Sequence, residues 1–175
     1  MEDVTGPDSK KSAIQDSILS DLSEAVSIFR KISAKKELVH ALRRLGHVEQ
    51  DLGMNDSTRD RYSEAVSICR NLDDPMLLAH SLRHLGDHYM EVHEMAKAEP
   101  FYSEALSLYR NEETPPIGDF ANALRRIAIL KEAQGKRVEA LAAWTETLDL
   151  YSTIRLIQGV EECRMRISTL TELNE

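Results

Sequence analysis

One eight-residue pattern occurs three times at intervals of forty residues: Ser23-Glu24-Ala25-Val26-Ser27-Ile28-Phe29-Arg30, then Ser63 to Arg70, then Ser103 to Arg110. A second pattern is interleaved with it. Ala41-Leu42-Arg43-Arg44-Leu45-Gly46 returns as Ser81-Leu82-Arg83-His84-Leu85-Gly86 and again as Ala123-Leu124-Arg125-Arg126-Ile127-Ala128. A chain that copies itself at such a period builds like units that cannot bury their apolar faces alone and must stack to do so. That constrains the fold more than composition does, and it makes display of a surface the default expectation.

Apolar residues recur at helical spacing from about Ser12 to Leu173. Ile18, Leu22, Ala25, Val26 and Phe29 form a first stripe, and Leu38, Leu42, Leu45 and Val48 a second. Gly53 and Gly135 sit where helices should end, since glycine accepts positive φ without a Cβ clash. Asn55-Asp56-Ser57 offers N-cap chemistry, and Asp73-Asp74-Pro75 a helix start with proline in the first turn. Thr114-Pro115-Pro116 absorbs two residues inserted between the second and third copies. The spacing predicts an all-α fold of about eight antiparallel helices, joined by connections of two to six residues. Ala41, Ala65, Ala105, Ala123 and Ala140 fall at recurring positions where helices should approach closely.

Residues 1–11 are polar, carry Gly6-Pro7 and lack a signal peptide's apolar stretch, so they are expected to be a disordered N-terminal arm; residues 12–175 are expected to form a single helical-repeat domain. A formal net charge of −8 argues against nucleic acid as the partner. No apolar run approaches the ~18 residues of a membrane span. Cys69 and Cys163, far apart at apolar positions, read as buried thiols in a reducing compartment, which places the protein in the cytoplasm.

The run Leu82 to Gly86 followed by Tyr89, Ala98, Tyr102 and Ala105 resembles a tetratricopeptide repeat. Leu42, Leu45, Gly46, Gly53, Tyr62 and Ala65 match the same columns in the preceding copy, as do Leu124, Ile127, Ala128, Gly135, Ala140 and Trp144 in the following one. The forty-residue spacing is similar to the longer repeats of kinesin light chains and related bacterial regulators. The resemblance implies a right-handed α–α superhelix, with a lone second-type helix capping the front and a lone first-type helix capping the back. Asn55, Thr58 and Thr147 depart from the usual residues and suggest a looser first turn in one helix.

The resemblance also implies that the first helix of each pair lines a concave groove that binds a peptide segment of another protein. Helical geometry then selects His40, Arg43 and His47, then His80, Arg83, His84 and Asp87, then Asn122, Arg125 and Arg126 as groove residues. Arg43, Arg83 and Arg125 align as a ladder, and guanidinium groups suit paired hydrogen bonds to carboxylates. The competing reading has these arginines neutralised internally by Glu49, Asp51, Asp87, Glu91 and Glu132. Chaperone-binding tetratricopeptide domains grip a terminal carboxylate from columns held here by Arg43, His47, His84, Asn122 and Arg126, of which only the two arginines match in type.

All six histidines fall between His40 and His93, and His80, His84 and His88 are spaced four apart. That spacing suits zinc or nickel capture, but no third ligand or His-Glu-x-x-His base accompanies it, so neither metal nor cofactor is expected. No nucleophile constellation, phosphate loop or carboxylate pair points to an enzyme. The expectation is a non-catalytic scaffold binding a peptide or acidic segment. A homodimer through the terminal helices, especially residues 160–173, stands as an alternative, with a regulatory sensor unit behind it.

Overall fold

The computed structural model describes residues 7–172, with side chains from residue 14. Of the expected arm, residues 1–6 lie outside the described residues, and the first helix opens at Pro7. Eight helices follow: α1 (Pro7–Lys31), α2 (Lys35–Asp51), α3 (Asn55–Cys69), α4 (Pro75–Glu91), α5 (Met95–Asn111), α6 (Ile117–Ala133), α7 (Arg137–Thr153) and α8 (Ile157–Glu172). No strand occurs among the described residues.

Five of the seven connections are three-residue turns of one kind. Each centres on a residue with positive φ: Ser33 (58°), Gly53 (72°), His93 (61°), Gly135 (70°) and Arg155 (55°). The residue after it sends its N–H back five residues, as from Met54 to the Glu49 carbonyl at 2.9 Å and from Glu94 to that of Tyr89 at 2.8 Å. These are Schellman motifs, which satisfy the last carbonyls of one helix and turn the chain directly into the next. The two glycines match the sequence expectation; Ser33, His93 and Arg155 hold the same conformation with a Cβ. Replacing each of these three by glycine should therefore stabilise the protein by about 0.5–1 kcal/mol, because the relief of left-handed strain exceeds glycine's added unfolded-state entropy. Chemical denaturation of the single variants measures this directly, and no gain at any of the three sites would contradict it.

Side-chain capping follows a different course from the expectation. Asn55, Asp56 and Ser57 lie inside α3, the N-cap position falls on Met54, and no side-chain cap bond forms. The reason is local. The Schellman turn runs straight into the helix, so the residue that closes one motif also starts the next element. Pro75 does open α4, as its fixed φ favours.

The helices form two compact units, Met1–Asp74 and Pro75–Glu175. In the first, α2 packs against both α1 and α3, burying Leu38, Leu42 and Leu45 with Val26, Tyr62 and Cys69. In the second, successive helices from α4 to α8 pack on one another, and α4 also meets α6. Trp144, Tyr151, Cys163 and several alanines make one part of its core.

One packing device recurs in both units. A Cβ on Gly46 would sit 2.8 Å from the Tyr62 ring, and one on Gly86 would sit 2.8 Å from that of Tyr102. Glycine at this column lets an aromatic ring lie flat on the backbone of the paired helix. Each ring carries a polar atom that burial obliges it to satisfy. Tyr62 donates to Gln50 at 2.9 Å, and Trp144 donates from Nε1 to Glu132 two repeats on. Between them the acceptor column holds Met90, and Tyr102 turns to Asp87 at 2.8 Å instead. The five alanines expected at close approaches are all buried. Thr58 and Thr147 are fully buried as well, with hydroxyls donating to the Met54 and Ala143 carbonyls at 3.0 and 2.8 Å, which lets the polar side chain occupy a small-residue position.

Candidate functional site: a polar wall on α4 and α6

α4 presents His80, Arg83, His84 and Asp87 at spacings of three, one and three residues, which puts them on adjoining stripes of one helix. Asp87 is the centre. Only 7% of it is exposed, yet its carboxylate accepts from Arg83 at 2.8 Å, from Tyr102 at 2.8 Å and from Arg126 Nε at 3.0 Å. Three helices, α4, α5 and α6, thus converge on one buried charge. Burial pushes the Asp87 pKa above the ordinary carboxylate value, against the pull of Arg126, Arg83 and Tyr102.

The second guanidinium nitrogen of Arg83 lies 3.1 Å from His80 Nε2 and 3.2 Å from His84 Nε2, and the two imidazoles stack with centroids 4.8 Å apart. An arginine has only donors, so both Nε2 atoms must supply lone pairs. Each ring is therefore a neutral Nδ1–H tautomer, with His80 Nδ1 facing Asp119 at 3.7 Å. The lone pairs that a metal ion would need already accept from Arg83. No group of three or more metal-ligating side chains gathers among the described residues.

α6 divides its groove candidates differently. Arg125 forms a two-pronged ion pair with Glu162 of α8, at 2.6 and 2.7 Å, which raises its pKa further. Asn122 accepts from Tyr151 at 2.8 Å. Arg126 keeps 36% of its side chain exposed while holding Asp87. In the first unit, His40 and His47 are exposed and Arg43 is half-buried. His47 Nδ1 stands 3.5 Å from Asp51, an ion pair only when the ring is protonated.

The structure thus brings His80, Arg83, His84, Asp87 and Arg126 into one cluster and directs Arg125 and Asn122 to α8 and α7. Sequence reasoning gave Tyr102 only a packing role, counted Glu162 only among the polar residues of the last helix, and passed over Asp119. Tyr102 was findable, because a buried phenol opposite a Met90 that cannot accept must look elsewhere. Both cysteines are buried free thiols, as expected, and burial pushes Cys163 up to about 11, which leaves it unreactive.

With that geometry in hand, the chain can be compared with known proteins. The tetratricopeptide repeat family profile matches residues 37–111. Over that segment, which holds α2 to α5, the chain is similar to tetratricopeptide repeats. A search of curated proteins returns no match. Among solved structures, BtubC from P. vanneervenii aligns at 20% identity with a TM-score of 0.74, covering 91% of this chain and 66% of that one. A Rap protein complexed with competence and sporulation factor aligns at 13% identity and a TM-score of 0.71, covering 87% and 47%. The TPR-like repeats of a P. anserina kinesin light chain align at 12% and 0.62, covering 94% and 90%. The chain therefore spans about two thirds and about half of the first two. These likenesses extend the tetratricopeptide fold from the matched repeats over nearly the whole chain. They show an all-α helical-repeat solenoid fold. No described helix is long and apolar enough to cross a membrane.

Proposed function

We propose that the protein is a non-catalytic interaction scaffold whose tetratricopeptide groove binds an acidic peptide segment of another protein. The observation that carries this reading is the Asp87 cluster. A buried carboxylate fixes two arginines from neighbouring helices, and one of them, Arg126, remains partly open to a ligand. Asp87 offsets one of the two cations and Asp119 faces His80, so the exposed part of Arg126 is the cationic group that the cluster presents. In a chain whose overall charge is −8, an exposed guanidinium held in a fixed orientation can select an acidic partner by charge.

In this reading Arg83 and Arg125 hold helices in place and Arg126, with His84, meets the ligand, while Arg43, His47 and His40 offer a comparable face within the first unit. The whole of residues 12–175 acts as one array, in the cytoplasm, without metal, cofactor, nucleic acid or membrane. Self-association through α8 is less well supported, because Ile157 and Met165 are exposed there singly among Gln158, Glu161, Arg164, Ser168 and Glu172.

Fluorescence polarisation over an array of acidic peptides with free C-termini tests the proposal. A subset should bind, weakening as salt is added, and Arg126→Gln should weaken it about tenfold, the loss expected for charge-assisted bonds, with circular dichroism confirming that the variant is folded at the assay temperature. Binding that ignores this substitution in the folded variant, or no binding across the array, would overturn it.

A further inference from the structure

α1 and α8 each pack against a single neighbour, α2 and α7 respectively. The exposed face of α8 is mixed, with Ile157 and Met165 among polar residues, whereas that of α1 carries four isoleucines. Ile14 (61% exposed), Ile18 (41%), Ile28 (46%) and Ile32 (65%) fall within an arc of about 80° on the helical wheel. Ile18, grouped on spacing with the core stripe, belongs partly to this second one. Ile32 continues the helix beyond Lys31 through its N–H bond to the Ile28 carbonyl at 3.0 Å.

The stripe has a register. Ile14, Ile18, Asp21, Ala25, Ile28 and Ile32 are separated by four, three, four, three and four residues, the alternation of a coiled-coil seam. The order is also symmetric about position 23. If the helix meets an antiparallel copy of itself, Ile14 faces Ile32, Ile18 faces Ile28 and Asp21 faces Ala25, each layer twice. An unrelated partner helix would require no such symmetry. A two-fold interface does, because every contact must be returned.

We propose that the occupant of this face is a second copy of the chain, α1 against α1 in antiparallel register. The proposal uses α1 alone and does not depend on the groove reading. The seam runs about 27 Å, under three heptads, which is short for a stable dimer. Asp21 lies within it, where the small Ala25 opposite leaves the carboxylate room for water, and such a polar layer fixes register while weakening the pair. Glu24, on the flank, meets its own copy and weakens it further. The dimer should be weak, half-formed at roughly 10–100 µM.

Sedimentation velocity on the full chain from about 5 to 500 µM tests this range. The wild type should pass from monomer to dimer mass as concentration rises. Asp21→Leu should tighten the association about tenfold by making the seam continuous. Ile14→Asp with Ile32→Asp should abolish it, with the melting midpoint little changed because these are the two most exposed isoleucines of the stripe. A monomer throughout for both wild type and Asp21→Leu overturns the proposal. So does a dimer that survives the double substitution, which would place the contact on another face.

Discussion

Replacing Asp87 with alanine is expected to cost about 3–5 kcal/mol, because it strands the largely buried Arg83 and the Tyr102 hydroxyl and frees Arg126 from α4. Asparagine should cost less, since it still accepts from Tyr102 and removes the buried charge that makes the site expensive. The sign of the pH effect separates these terms. The folded pKa of Asp87 lies above the unfolded one, so the unfolded chain loses its proton first as pH rises. Stability therefore falls as pH rises between the two values, and the asparagine variant should lack that contribution. Urea titrations of the three proteins at several pH values read both effects. An alanine variant within about 1 kcal/mol of wild type would mean the cluster sits passively on a fold held elsewhere.

Trp144→Ala should have a loss of similar size, about 3–5 kcal/mol, for a different reason. The indole is fully buried among Ala128, Ala140, Tyr151 and Cys163, its N–H is held by Glu132, and the Arg166 guanidinium lies 6.0 Å from the ring. Deleting it opens a void between α6 and α7 and leaves the Glu132 carboxylate without that donor. Because this is the only tryptophan, far-UV circular dichroism must follow the unfolding. A loss under about 1 kcal/mol would show that the neighbouring side chains collapse into the space.

Much of the fold was legible because repetition fixes register. The glycines under Tyr62 and Tyr102, the alanines at close approaches and the proline that opens α4 all follow from columns that recur. What was not legible depends on contacts that do not recur. Arg43, Arg83 and Arg125 share a column, but the residue one turn on is His47, Asp87 and Ile129 in turn. Arg83 finds its acid on its own helix, whereas Arg125, facing isoleucine, reaches 37 residues along the chain to Glu162. No period predicts that pairing. The left-handed turns at Ser33, His93 and Arg155 were hidden for a related reason. Turn geometry is imposed by the packing of the flanking helices, and residues without glycine's freedom comply.

The isoleucine stripe of α1 has a consequence for how far assembly through it can proceed. A two-fold contact presents the same face from both copies, so forming it consumes that face on each. Association by this route saturates at a stoichiometry of two and does not run on into filaments.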